Sequence, residues 1–397
     1  MAKSLAYRRT ITGSVLVILV LTSPTLATHI TWDFQKVVSG VSSPPLVSLG
    51  MRTGETWPTV FYDRAGVFKA ASLTPAGWSE TALSPVSGNA TMARAHAGPD
   101  GRVGVTWINN PYEVRFAQSS RNGWSSSGAG TAMSNFYYSG GPDFAYLSNN
   151  RPVVVYMGNV GPTKGLALSV YDGLGWNTDL VDKVMVGTQV RPTGERPTIA
   201  VDSQDRIGLA FRSGSEVIVA IREPGQGTWY GASLGTNFPS SSNTTLSLGY
   251  SSNDNVALAV KSDSALLVSQ FDIQSGAWVT EQLSSTVASQ RVNLVFDSQG
   301  HPAVAYVGTD GSIHYRINNG DGWSDIVLPR GTDPLTGLVL DPYLTSDAAL
   351  AFDRFDNPVI AYGGAANIIL AYDPVVPEPA SVLMLVVGLA MLRPRRR

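Results

Sequence analysis

The chain has 397 residues, a formal net charge of −2, 15% charged residues, 40 Gly, 24 Pro and no Cys. Charged residues fall well below the roughly 25% usual in soluble domains and turn-formers are frequent, which argues against coiled coil, long surface helices and disorder and suits many short strands. Without cysteine, disulfides, thiolate zinc sites, iron–sulfur clusters and Cys nucleophiles are excluded together.

Residues 1–27 read as a signal peptide. Lys3, Arg8 and Arg9 give a basic start, an apolar run follows over 11–21, and Pro24 precedes a small-residue cleavage site at Thr25-Leu26-Ala27. Eleven residues make about 16 Å of helix, short of the roughly 30 Å hydrocarbon core, so cleavage by signal peptidase is expected rather than a permanent anchor.

From residue 28 the sequence repeats. A Trp, usually after Gly or another small residue, recurs at Trp32, Trp78, Trp124, Trp176, Trp229, Trp278 and Trp323, at spacings of 45–53 residues. An independent marker, an apolar segment that usually ends in an aromatic, also occurs seven times. The copies are Val60-Phe61-Tyr62, Val105-Thr106-Trp107, Val154-Val155-Tyr156, Leu209-Ala210-Phe211, Leu258-Ala259-Val260, Val304-Ala305-Tyr306 and Ile360-Ala361-Tyr362. Two markers with one count and one period define the repeat.

Each unit reads as four short strands. In the sixth, runs at 292–297, 302–307, 313–317 and 323–328 are β-branched or aromatic and are bounded by Gly, Asn and Asp. The second strands are apolar on both faces, as expected where sheets pack on either side. A period of 40–50 residues with four strands per unit predicts an all-β, seven-bladed β-propeller of four-stranded antiparallel blades over 28–373. The segment 31–38 resembles a fourth strand without the first three, and 348–372 has three strands without a fourth. Together they complete the last blade, so N- and C-terminal strands close the ring. The seven tryptophans, each at the start of an outermost strand, are read as blade-packing residues.

The last 24 residues, 374–397, have three parts: Val376-Pro377-Glu378-Pro379, an apolar run over 380–392, and Arg393-Pro394-Arg395-Arg396-Arg397. This resembles the PEP-CTERM sorting signal of Gram-negative bacteria that make exopolysaccharide. Pro377, Glu378, Pro379, Arg393, Arg395, Arg396 and Arg397 carry the resemblance. It implies an exosortase-type membrane protease as partner, transient insertion of the C-terminal helix in the inner membrane, and a final place in the cell envelope or extracellular matrix. The arginines favour the cytoplasmic side and would stall the run as it crosses. Removing both ends takes away seven of 28 basic and one of 30 acidic residues and leaves a body near −8. Such a body repels phosphate backbones, so no nucleic-acid partner is expected.

The repeats resemble the sialidase-like, BNR-like group of bacterial propellers. That group's Ser-x-Asp-x-Gly-x-x-Trp boxes are not intact here; Pro99-Asp100-Gly101 through Trp107 is an echo. The resemblance implies a glycosidase only if three arginines, a Tyr–Glu pair and an acid meet at the ring mouth. A fucose-lectin-like ring is also similar and would need one Arg–Glu–aromatic set per blade; Tyr315-Arg316 and Val114-Arg115-Phe116 hint at such sets.

Other chemistry is weaker. Asp202, Asp297 and Asp353 end innermost strands with one carboxylate per turn, or two where Asp205 and Asp356 follow, which fits Asx-type turn capping better than the six to eight oxygens of a calcium site. His29, His96, His301 and His314 lack ligand spacing, so no metal and no cofactor is expected. Gly231-Ala232-Ser233-Leu234-Gly235 matches the nucleophile-elbow formula but lies in an outermost strand with no helix after it. Ligands of propellers sit on the face where loops approach the innermost strands. The long approach loops 125–141, 182–196 and 329–346 carry Phe136, Tyr137, Tyr138, Arg191, Glu195, Arg196 and Tyr343, with Tyr112 nearby on a second-to-third-strand loop. These are the ligand-face candidates; the plainer reading is that the loops pack on one another. No catalytic residue is assigned. The expectation is a non-catalytic binding or scaffold module for glycan or exopolysaccharide, with a sialidase-like glycoside hydrolase or lyase and a protein-interaction platform as alternatives.

Overall fold

The computed structural model describes residues 32–373 apart from 42–46, 53–54, 84–90, 110–111, 134–140, 161–162, 183, 192, 236–237, 239–243, 333–336, 338, 343–345 and 365. Both terminal segments expected to be signals therefore lie outside the described residues, as do Phe136, Tyr137, Tyr138 and Tyr343. No helix among the described residues is long and apolar enough to cross a membrane.

The chain forms seven antiparallel blades. Strand β1 (Asp33–Ser39) precedes blade 1, which holds β2 (Val47–Gly50), β3 (Thr59–Arg64), β4 (Val67–Thr74) and β5 (Gly77–Ala82). Blade 2 holds β6 (Thr91–Ala97), β7 (Val103–Asn109), β8 (Glu113–Ser120) and β9 (Gly123–Thr131). Blade 3 holds β10 (Asp143–Tyr146), β11 (Pro152–Val160), β12 (Thr163–Tyr171) and β13 (Trp176–Leu180). A hairpin, β14 (Val184–Val186) and β15 (Gln189–Arg191), leads to blade 4. That blade holds β16 (Glu195–Val201), β17 (Ile207–Ser213), β18 (Glu216–Arg222) and β19 (Trp229–Ser233). Blade 5 holds β20 (Thr245–Tyr250), β21 (Val256–Ser262), β22 (Ala265–Asp272) and β23 (Ala277–Ser284). Blade 6 holds β24 (Asn293–Phe296), β25 (Pro302–Val307), β26 (Ile313–Asn318) and β27 (Trp323–Val327). Blade 7 holds β28 (Ala348–Phe352), β29 (Pro358–Gly364) and β30 (Asn367–Tyr372), and β1 is its outermost strand, paired with β30 from Asp33↔Tyr372 to Ser39↔Asn367. Each innermost strand lies against those of both neighbours, and β28 lies against β2, which closes the circle.

Burial follows the radius. The second strands β7, β21, β25 and β29 are buried along their whole length, while the outermost β5 and β27 are mostly exposed. A two-sided apolar strand is dry only if a neighbouring sheet covers each face. Seven apolar clusters do this, each joining residues of two adjacent blades, as Phe61 and Ala70 of blade 1 meet Val105 and Trp107 of blade 2. The repeat tryptophans face the preceding blade. Trp124 meets Phe61 edge-on at 5.5 Å, Trp176 meets Phe116 at 5.6 Å, and Trp32 meets Tyr315 at 6.2 Å. Gly104 and Gly208, three residues before their aromatic markers, let this packing close. A Cβ at Gly104 would lie 2.4 Å from the Tyr146 hydroxyl, and one at Gly208 2.8 Å from that of Tyr250.

Two belts of polar contacts add to the apolar seams. The turns that leave the innermost strands share one hydrogen-bond pattern, with a left-handed residue at Gly101, Asn150, Asp205, Asp254, Gly300 or Asp356. Asp202, Asp297 and Asp353 cap these turns, each carboxylate accepting two backbone N–H groups. The left-handed residue itself reaches the preceding blade. Asp205 accepts from the backbone N and Oγ of Ser148, Asp254 from those of Ser203, and Asp356 from those of Ser298. The second belt runs along the innermost strands, where Asp143, Thr198, Ser247 and Asn293 accept the N–H of Ile199, Leu248, Leu294 and Leu350 of the next blade.

The segment 182–196 departs from the expected open loop. Gly187 and Thr188 turn a tight hairpin, whose β14 pairs in parallel with β19. Blade 4 is thereby a six-stranded sheet. The expected loop 125–141 likewise begins as strand, since β9 extends to Thr131.

Candidate functional site

The centre of the ring is charged. A register shift in β16 between Glu195 and Thr198, with Arg196 at φ 59°, turns the Arg196 side chain inward. Its Nη1 donates to the Thr244 carbonyl at 2.5 Å, and the residue is 6% exposed. A similar shift in β6 between Thr91 and Arg94 precedes Arg94, which spans the channel. Arg94 Nη1 donates to the Val292 carbonyl at 3.1 Å and Nη2 to that of Leu246 at 3.0 Å, so blade 2 is tied to blades 5 and 6. Arg291 answers from the other side, with Nη1 2.9 Å from the Ala93 carbonyl and Nε 3.2 Å from Asp347 Oδ2. Two cavities open to solvent adjoin these guanidiniums.

The channel carboxylates are committed. Asp143 accepts from the Thr198 hydroxyl at 2.6 Å and lies 3.0 Å from His96 Nε2. Burial opposes its ionisation, but the hydrogen bond and charge of His96, the charge of Arg94 and the Thr198 hydroxyl outweigh that and hold the carboxyl at about 2. An acid held so low is poorly suited to donate a proton near neutral pH. Asp347 accepts the Arg291 backbone N–H at 2.9 Å besides pairing with its guanidinium.

A second kind of site recurs at the blade seams, on the side each blade turns to the one before it. In blade 1, Glu80 accepts from Lys69 Nζ at 3.1 Å, from Arg64 at 3.2 Å, and from the Tyr62 hydroxyl. In blade 2, Arg115 pairs with Glu113 at 3.0 Å and Ser126 Oγ at 3.0 Å, beside the buried Trp107. In blade 6, Arg316 Nη2 lies 2.6 Å from Asp325 Oδ2, and His314 Nδ1 lies 3.3 Å from Oδ1 while its ring stacks on Tyr306 at 4.9 Å. Lys69, Arg115 and His314 hold the same register, each opposite the aromatic that ends the apolar marker of its second strand. A buried aromatic floor thus carries a partly buried nitrogen donor and, in each case, an acid. Forked donors and carboxylate acceptors of this kind match vicinal hydroxyls.

The ligand-face candidates disperse. Tyr112 packs half-buried on the seam of blades 2 and 3. Arg191 sits on the added hairpin and pairs with Glu216 at 3.6 Å. Glu195 is exposed at the start of β16, opposite Arg212. Arg196 alone of the described candidates enters the channel, which corrects its placement on a rim loop. Arg94, Arg291, Asp143, Asp347 and the blade 1 set were missed. The signal for part of the channel lay in the repeat register: Met92, Gly141, Arg196, Thr245, Arg291 and Asp347 each stand fifteen residues before the marker-ending residue of their unit. Among the described residues no cluster of three or more His, Asp or Glu is placed to hold a metal.

No protein-family model matches the chain, and no curated protein matches it in sequence. Its fold is similar to that of several solved structures, lectins among them. A mutant of Aleuria aurantia lectin in complex with α-methyl-L-fucoside superposes with a TM-score of 0.52 at 12% identity, over 76% of this chain and 100% of that one. A mutant of AofleA from Arthrobotrys oligospora gives 0.51 at 13% identity, over 76% and 91%. SapL1 lectin in complex with α-methyl fucoside gives 0.50 at 16%, over 73% and 98%. At such identities the likeness is one of fold.

Proposed function

We propose that this chain is a non-catalytic carbohydrate-binding module, exported and held at the cell envelope or in the extracellular matrix by its C-terminal sorting signal, with an acidic or neutral extracellular polysaccharide as partner. The observation that carries the reading is the recurrence, at equivalent positions of blades 1, 2 and 6, of an aromatic-backed nitrogen donor (Lys69, Arg115 or His314) with an acid beside it on a rigid seam. The solved lectins of similar fold, two of them holding a methyl fucoside, support it. The glycoside-hydrolase reading needs two carboxylates about 5–9 Å apart and free to exchange protons. Asp143 and Asp347 are instead tied to His96, Thr198 and Arg291. An additional protein contact is favoured by the blade 4 hairpin. Its cross-strand neighbours Val190, Met185 and Tyr230 form a stripe, with Val190 59% and Tyr230 64% exposed.

Glycan-array and calorimetric binding to fucosides, uronate-containing oligosaccharides and bacterial exopolysaccharide tests the reading. The wild-type chain is expected to bind at least one class, and Arg115→Ala combined with Arg316→Ala to weaken it about tenfold, a loss of about 1.4 kcal/mol. Absence of binding at several µM, or equal binding by the double variant, overturns the seam assignment.

A further inference from the structure

The channel concentrates positive charge. Arg94, Arg196 and Arg291 converge on one cavity that opens to solvent, lined also by Gly141, Thr244, Thr245 and Leu246. Guanidinium groups keep their proton in any protein environment, so three positive charges stand there permanently. The carboxylates that face them are Asp347, paired with Arg291, Asp143, shared with His96, and the exposed Glu195 next to Arg196. Lys261 is 6% exposed and adds a further cation near Arg196, with Asp263 beside it. Two buried polar atoms of residues that line this cavity, Arg291 Nη2 and Thr245 Oγ1, have no hydrogen-bond partner. Buried donors of this kind are almost always satisfied in folded proteins. A water molecule would satisfy them without offsetting the charge, and a metal cation would worsen it.

We propose that the channel binds a small oxyanion between Arg94, Arg196, Arg291 and Thr245, where it serves as an internal counter-ion linking blades 2, 4, 5 and 6. The receptor is pre-formed. Each guanidinium is already held by a backbone carbonyl of another part of the ring, so an arriving anion meets fixed donors and little side-chain freedom is lost. Forked donors from three directions suit sulfate, phosphate or a carboxylate better than a spherical ion. The same chemistry is presented by a free ion and by the acid group of a sugar, and the two sources differ in whether the anion can carry a pyranose ring into the mouth.

Thermal unfolding of the purified chain at fixed ionic strength decides it. Millimolar sulfate, phosphate or acetate is expected to raise the midpoint of the wild-type chain by about 2 °C or more over sodium chloride, because a ligand that binds only the folded state stabilises it by mass action. Thr245→Val, which is close to isosteric, is expected to lose at least half of that rise, and Arg291→Lys, which keeps the charge but not the fork, nearly all of it. Glucuronate with glucose as control separates the sources: a rise with glucuronate alone supports a sugar acid entering the mouth, and a rise confined to the free ions supports a closed counter-ion site. Equal effects of chloride and every oxyanion, or a full rise retained in Thr245→Val, overturn the proposal. Neutral-glycan binding by both variants is expected to be unchanged, so this test stands apart from that of the seams.

Discussion

At the scale of single residues, the charged centre is a device for holding blades together. Asp143 is the clearest case, because one carboxylate joins β10 to β6 through His96 and to β16 through Thr198 and Ile199. Its folded-state carboxyl sits at about 2, below the ordinary 3.8. A depressed carboxyl contributes stability that is present above the unfolded value and lost as pH falls through the folded one, here between about pH 4 and pH 2. The shift corresponds to about 2 kcal/mol. Asp143→Asn is therefore expected to lower the urea midpoint at pH 6, with the gap to wild type narrowing by pH 3; a gap independent of pH counts against this account. Such residues were hard to read in the sequence. An Arg at position 94 or 291 looks like any surface cation until the strand register aligns it with Arg196 or Asp143, and the bulges beside Arg94 and Arg196 leave no compositional mark.

At the scale of elements, the repeats were legible because two apolar markers keep one period, and apolar periodicity is what blade packing selects. The added hairpin β14–β15 was not, although Val184-Met185-Val186, the turn Gly187-Thr188 and Gln189-Val190-Arg191 carry a short hairpin pattern. It falls between units, where the repeat gives no expectation. The hairpin has a local consequence. Trp229 is 2% exposed while the six other repeat tryptophans are half-buried, and the neighbour that distinguishes it is β14, with Val184 directly beside it. The Arg222 guanidinium stacks on the indole at 4.7 Å. Replacing 184–191 by a Gly/Ser linker is expected to expose this indole, with a red-shifted emission and stronger acrylamide quenching that vanish in a Trp229→Phe background. The loss of stability is expected to centre on blade 4 and its seam with blade 3, to which Val184 contributes, and unchanged emission would show that β19 covers Trp229 unaided.

At the scale of the molecule, the ring is the unit of stability, because every blade lends a face to two neighbours and none is dry alone. Strand β1 is where this becomes testable. It contributes Val37 and Val38 to the seam of blades 7 and 1 and Phe34, with the adjoining Trp32, to the seam of blades 6 and 7. It also covers the edge of β30, where Ile368, Ile369 and Leu370 are wholly buried. A chain trimmed of residues 28–40 keeps all twenty-nine other strands yet opens two of seven seams and bares an apolar edge. Removing the side chains of Val37, Phe34 and Trp32 from two interfaces forfeits several kcal/mol by burial alone, at about 25 cal/mol per Å² of apolar surface. Unfolding of the trimmed chain is expected to begin at blade 7 and to drag the midpoint down by about 10 °C or more, with hydrogen exchange in β28–β30 rising first. A peptide spanning 28–40, added back in excess, is expected to recover part of the loss by pairing with β30. A trimmed chain that melts where the intact one does would mean that blade 7 holds its place without its fourth strand, and that the circle is closed by β28 against β2 alone.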